Sequence, residues 1–572
     1  MVFRSAVLVF AGFMLASGNA LAEAPVARDA VRAIPVSNDG QPGTSERISA
    51  EALAEAVLAR VEELKGVKAG ARFAKQSKAQ APDVTNAIRA FYRMRQGGPL
   101  WVSADGLNDN ADTLIAVTSD ADSWGLDPKA FTFAAAAKAG GGDALPTAGA
   151  LADQELALTR IALTYAAHAR GGRVDPVDLS NDIFRQRPLI APASVLTDIA
   201  VAEDLKAYLV GLHPQHQQFK LLQLAYLKLR DGGDAAAGDE AEAADAKPQG
   251  KKKRKAKRKP MTREQKLRRI RLNMEMWRWM PEELGATHVI ANIPAFKVRL
   301  NRDGQTIFEE RVVVGKYTTQ TPLFSDVMEH IIFRPTWGVP NSIKVRELLP
   351  GLLRGGDPIS RKGLRLQVRG RDANPRSVNW RRADIRNYTV YQPSGPRNAL
   401  GNVKFMFPNR HAIYMHDTPS KHLFKRSTRM YSHGCIRIRN PQNFAKVLLK
   451  TANDWAADQT AQTYKRGPNK EQVNFDAPIP VHLIYATAWV DPKTEKLSFF
   501  KDVYKHERHL KFALAGDYRK IRKVRRSVSA DYQTIRASVR ARSSSQSWLF
   551  NSGGGSSSGG NKDWMKNVFN SD

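Results

Sequence analysis

Apolar positions change their period along the chain. Leu158, Ile161, Ala162 and Tyr165 fall at i, i+3, i+4 and i+7, the spacing that lines one face of a helix, and Gly171-Gly172 stops the pattern. A second amphipathic stretch covers 219–229. Together they predict a helical domain over 85–230, after a weakly specified, Ala-rich lead-in at 23–84. Thr262-Arg263-Glu264-Gln265 has capping-box spacing, and Ile270, Met274 and Trp277 share a face until Pro281, so 262–287 is expected to hold one packing helix. From His288 onward β-branched runs take over. Segments 289–300 and 306–315 read as strands joined through Asp303-Gly304, a pair suited to a tight hairpin turn. Further strand-like pieces at 327–333, 365–368, 388–391, 403–405, 412–416 and 481–486 extend a β-rich domain over 288–490. Within it, 340–386 is rich in Arg, Gly and Pro and long enough to be a lid beside a site.

Composition narrows the classes. At 572 residues the chain exceeds one ordinary domain, and with 42% hydrophobic and 25% charged residues it is built to bury cores. After the N-terminus no run of ~20 apolar residues occurs, which excludes a polytopic membrane protein and any span in the mature chain. Residues 1–22 carry Arg4, an apolar run over 6–16 and Ala20-Leu21-Ala22, the pattern of an export signal cleaved near Ala22; periplasmic location is the expectation. That address turns the net charge of +32 away from nucleic acid and toward anionic envelope material. Two segments hold half of that charge: eight basic residues in 251–259, and nine less one aspartate in 519–542. The first lies in an acidic-then-basic, low-complexity linker at 231–261. The second opens a basic, Ser/Gly-rich tail at 517–572, expected to be disordered, after an extension at 491–516. Both read either as solvated chain or as tethers to an anionic envelope surface.

A lone thiol, Cys435, rules out an intramolecular disulfide and any multi-Cys metal site. Its neighbours are chemical: Tyr414-Met415-His416-Asp417 lies upstream, and Ser432-His433-Gly434-Cys435-Ile436-Arg437 surrounds it. A cysteine becomes a nucleophile when a nearby base or cation favours thiolate, and the glycine lets backbone N–H groups of 433–435 converge on an oxyanion. Lys421, Lys425, Arg426, Arg429, Arg437 and Arg439 are expected to favour thiolate and to attract an acidic substrate. The competing readings are a small buried hydrophobe and a metal site of His411, His416, His422 and His433, whose spacing fits no familiar zinc pattern.

His416, fifteen residues, then Ser432-His433-Gly434-Cys435 with Arg437 two positions on resembles the signature of L,D-transpeptidases with a YkuD-type catalytic domain. Asn292-Ile293-Pro294-Ala295-Phe296, Val312-Val313-Val314-Gly315-Lys316, Thr321-Pro322, Pro335-Thr336-Trp337-Gly338-Val339-Pro340-Asn341-Ser342-Ile343 and the block 401–409 are similar to its large, YcbB-like branch. Upstream, 91–101 and 170–176 resemble that branch's scaffold domain. The resemblance implies an α+β multidomain chain, with a helical scaffold followed by a mixed β-sandwich-like catalytic domain. It implies Cys435 as nucleophile, His416 as general base and later acid, and amides around Gly434 as oxyanion hole. His433 would complete the catalytic group, with Ser432, Arg437, Tyr414 and Trp337 binding substrate and neither cofactor nor metal required. The implied substrates are peptidoglycan stem peptides, joined by 3–3 cross-links. Transfer to an envelope protein, a D-amino acid or water, and a non-catalytic wall-binding scaffold, are the alternatives. The branch's small peptidoglycan-binding module has no counterpart pattern in this sequence.

Overall fold

The computed structural model describes residues 48–64, 83–133, 146–233, 237–238, 260–524 and 527–549. The expected export signal, the basic run 251–259 and the Ser/Gly-rich stretch 550–572 lie outside the described residues.

The helical domain is organised by α1 (Ala50–Glu62), α2 (Ala148–Gly171) and α3 (Gln217–Arg230). Helix α1 differs from the weakly specified lead-in expected at 23–84. Ser49 caps it by accepting the Ala52 N–H at 3.1 Å, and Leu53, Val57 and Val61 bury one face in the same core as Leu158 and Tyr165 of α2. The stripe i, i+4, i+8 is short and framed by alanines, which hides it among residues of similar helix propensity. A buried carboxylate, Glu155, fixes the turn that follows Met94: it accepts from Tyr92 Oη at 2.5 Å and from the Leu100 and Trp101 N–H groups at 2.6 and 2.8 Å. Such a group is tolerated inside only because those donors replace its water.

Helix α4 (Arg263–Trp277) carries the capping box: Thr262 Oγ1 accepts from Gln265 N–H at 3.2 Å, and Gln265 Oε1 accepts from Thr262 N–H at 3.1 Å. Its Ile270, Met274 and Trp277 pack between Phe219 and Leu222 of α3 and Ile290 and Ile484 of the sheet, which joins scaffold to catalytic domain through one apolar cluster.

That sheet has nine strands: β1 (Thr287–Asn292), β2 (Lys297–Arg302), β3 (Gln305–Gly315), β4 (Ser325–Phe333), β5 (Val403–Met406), β6 (Met415–His416), β7 (Met430–Ser432), β8 (Ile436–Ile438) and β9 (Glu471–Ile484). Their order is β7-β3-β8-β6-β5-β4-β9-β1-β2, and β2 pairs again with β3, so the sheet closes on itself and leaves few edges. The run 289–300, expected as one strand, is two: residues 293–296 turn the chain, with Phe296 at a φ of 52°. Asp303 and Gly304 make the expected two-residue turn between β2 and β3, with φ of 49° and 75°.

The insertion forms a small unit with its own core of Val345, Leu348, Leu349, Leu366 and Ile385, and its strands at 365–368 and 371–373 join 389–392 and 337–338 in a four-stranded sheet. The tail expected to be disordered from 517 differs in its first part. Helix α5 (Val528–Leu549) lays Val528, Tyr532, Ile535 and Val539 on that core. Asp531 is 2.5 Å from Arg346 Nη2, Arg386 lies 4.2 Å over the Tyr532 ring, and Arg536 donates to the Ala383 carbonyl at 3.1 Å. The high charge of this stretch concealed an apolar stripe at i, i+4, i+7, i+11. Burial of Tyr532 alone is worth about 1.5–3 kcal/mol. A chain ending at Ser527 is therefore expected to lose the restraint on the lid, and limited proteolysis within 340–386 should accelerate several-fold; an unchanged digestion rate would show that α5 restrains nothing. Among the described residues no helix is long and apolar enough to cross a membrane.

Candidate active site

Strand pairing assembles the chemistry. Strands β6 and β8 run parallel, with Met415 opposite Ile436 and His416 opposite Arg437, and the Ile436 N–H donates to the Tyr414 carbonyl at 3.1 Å. Met415, Ile436 and Ile438 are fully buried in the core. By the two-residue period of a strand, Tyr414, His416, Cys435 and Arg437 share the opposite face. They line one cavity of about 160 Å³ together with Trp337, Ser432 and His433, and the lid contributes Pro340, Ser342 and Ile343. Of the expected site residues only Gly434 stays behind the wall.

Its place there is structural. Gly434 has a φ of 130°, and a Cβ would sit 3.0 Å from Ile413 Cδ1. Ser432 Oγ donates to the Cys435 carbonyl at 2.6 Å and accepts from the Gly434 N–H at 3.1 Å, so this short turn is closed by its own serine. From behind, Thr321 Oγ1 donates to the Gly434 carbonyl at 2.7 Å, and the Lys316 N–H donates to the Ser432 carbonyl at 3.0 Å. The expected oxyanion hole is thereby narrowed, because the Gly434 N–H is already engaged.

His416 is 4% exposed and donates its Nδ1–H to the Asp417 carbonyl, the tautomer that leaves a lone pair on Nε2. Asp417, absent from the sequence expectations, fixes that carbonyl. Its carboxylate accepts from Lys421 Nζ at 2.5 Å, Thr418 N–H at 2.6 Å, Asn402 N–H at 2.9 Å and Tyr464 Oη at 3.0 Å. Glu347 was also missed. It belongs to the π-helical turn Lys344–Leu348 of the lid and lies 2.7 Å from His433 Nε2, so the lid holds the catalytic turn directly. Asp417 was legible as the neighbour of a candidate base; Glu347 carried no local signal, being 86 positions before its partner in sequence.

Burial sets the protonation states. The half-buried Cys435 has its thiol pushed up to about 11 by desolvation, against the hydrogen-bonding groups of Tyr414 and the charge of Arg437, which pull it down. His416 is pushed down to about 3, by desolvation first and then by Arg437, with the Asp417 carbonyl opposing. At neutral pH the pair therefore rests as thiol and neutral imidazole. Desolvation outweighs the pull of the cations expected to favour thiolate. Lys421 is spent on Asp417, Arg429 on the Val312 carbonyl at 3.1 Å, and Arg439 on Glu310 at 2.7 Å. Arg437 pulls the thiol down against desolvation. His411 packs against Phe184, with ring centroids 3.9 Å apart and the planes tilted by 35°. No group of three potential metal ligands occurs among the described residues.

Residues 286–457 match the YkuD family, described as the L,D-transpeptidase catalytic domain, and residues 86–225 match the Scaffold domain. A curated Haemophilus influenzae protein named putative L,D-transpeptidase is 31% identical over 261 residues, covering 44% of this chain and 51% of the relative. The chain thus matches about half the length of that relative. An L,D-transpeptidase from Mycobacterium smegmatis is 15% identical over 35% of this chain and 58% of its own, with a TM-score of 0.17. L,D-transpeptidase 1 of Mycobacterium tuberculosis is 14% identical over 35% and 61%, with a TM-score of 0.15; scores this low carry no weight for fold or function. The two family matches place in this chain an L,D-transpeptidase catalytic domain of the YkuD type, set after a scaffold domain.

Proposed function

We propose that this protein is an exported transpeptidase that uses Cys435 to cross-link peptidoglycan stem peptides, with residues 1–22 as its export signal. His416 Nε2 takes the thiol proton as Sγ attacks the carbonyl of the third residue of a tetrapeptide stem. The tetrahedral oxyanion is received by the N–H groups of His433 and Cys435, since the Gly434 N–H is held by Ser432 Oγ. Collapse breaks the amide to the terminal D-alanine, whose departing amine takes the proton back from His416. An amine of a second stem then attacks the thioester and gives a proton to His416; the C–S bond breaks, His416 returns that proton to the departing Cys435 thiolate, and a 3–3 cross-link is left. Arg437 and Tyr414 steady the thiolate while it forms, and Trp337 and Ser432 shape the cavity wall. Closure of the lid through Glu347 and His433 would exclude water from the thioester.

The observation that carries this reading is the placement of His416, on β6, and Cys435, immediately before the neighbouring β8, in one cavity that the lid also lines. Incubating the purified protein with disaccharide tetrapeptide is expected to yield a cross-linked dimer and free D-alanine by mass spectrometry. D-alanine release without dimer would move the assignment to hydrolysis or to another acceptor, and no conversion at all would remove it.

A further inference from the structure

A second cavity, of about 360 Å³, shares no lining residue with the catalytic one. It is walled by 125–129 and Arg173 of the scaffold, by Arg268, Arg271, Leu272 and Glu275 of α4, and by Lys511, Leu514 and Ala515 beyond the catalytic domain. Five cations line it: Lys129, Arg173, Arg268, Arg271 and Lys511. Its two carboxylates are already engaged. Glu275 accepts from the N–H groups of Arg173 and Val174, the latter at 3.1 Å, while Asp127 accepts from the Lys129 N–H at 3.2 Å and lies 3.8 Å from Arg173. Arg271 is 3.0 Å from Asp122. Among the described residues, Lys129, Arg268 and Lys511 have no anionic partner. Like charges gathered on three separate segments repel one another unless an anion joins them. In sequence, the basic run 251–259 ends nine residues before Arg268.

We propose that this cleft is an accessory subsite for carboxylate-bearing peptidoglycan stems, holding the wall away from the reaction centre. The proposal rests on the function given above for its choice of ligand. Shape favours a discrete chain over a lipid surface: the cations line a concavity of ligand size, with Leu126, Pro128, Leu272 and Leu514 between them, whereas a bilayer needs a convex basic face. Guanidinium and ammonium groups spaced around a half-apolar pocket suit a peptide that presents several carboxylates on short aliphatic arms.

The test uses full-length protein carrying Lys129→Ala, Arg268→Ala and Lys511→Ala together, none of which supports a contact of the fold. Co-sedimentation with purified sacculi at low salt is expected to weaken about tenfold, while turnover of soluble disaccharide tetrapeptide stays at the parental rate. Parental binding should fall as salt is raised, and should fall as well when the sacculus carboxyls are amidated with carbodiimide and ammonia. Undiminished sedimentation of the triple variant would overturn the proposal. So would a loss confined to phosphatidylglycerol vesicles, which would make the cleft a membrane contact. Sedimentation is read without turnover, so failure of the cleft and failure of the catalytic assignment are separable.

Discussion

Cys435→Ala is expected to abolish both the covalent intermediate and the cross-linked product, a fall of at least ~10⁴ in kcat. No second thiol exists in the chain to substitute, and the acyl group would have no acceptor on the protein. Intact mass after incubation with stem peptide should show the acyl adduct on the parental protein and none on the variant. Dimer formation by the variant at the parental rate would end the assignment. The thiol also makes a pH prediction with a definite sign. A group lifted to about 11 is almost wholly protonated at pH 7, and its thiolate fraction grows roughly tenfold per pH unit below that value. Alkylation by iodoacetamide should therefore climb through pH 8, 9 and 10. A plateau reached by pH 7 would show a preformed thiolate–imidazolium pair and contradict the burial argument.

His416→Gln should lower kcat by about 10²–10⁴ with the fold retained, because glutamine keeps the bulk of the ring and loses the proton acceptor. Its acid limb is unusual for a histidine. The imidazole is held down to about 3, so the base stays neutral and competent as pH falls from 7 to about 4, and is lost only as pH drops through the value of the folded protein. The parental kcat/KM should show no titration near 6.5. Such a step would contradict the assignment of His416 as the base. His433→Gln, which leaves Nε2 of His416 untouched and breaks the 2.7 Å contact to Glu347, is expected to act more weakly and mainly through the lid.

The parts of this molecule that depend on neighbours in sequence were readable from it. The α4 capping box, the Asp303-Gly304 turn and the α2 stripe ending at Gly172 are all set within a few residues. Where composition misled, a local average hid a periodic signal. Alanines framed the stripe of α1, arginines and serines framed that of α5, and the turn at 293–296 lay inside a continuous apolar run.

The sequence by itself determined which groups can react: one sulfur, a histidine nineteen positions before it, a glycine beside it, and enough positive charge to seek an anionic partner. Only the tertiary structure decided their state and their company. Desolvation depends on what packs around a group rather than on what precedes it, which is why cations that look like thiolate stabilisers turn out to hold Asp417, Glu310 and backbone carbonyls while the half-buried thiol keeps its proton. Contacts such as Glu347 to His433 and Arg346 to Asp531 arise from chain crossings tens to hundreds of residues long, which no local pattern encodes.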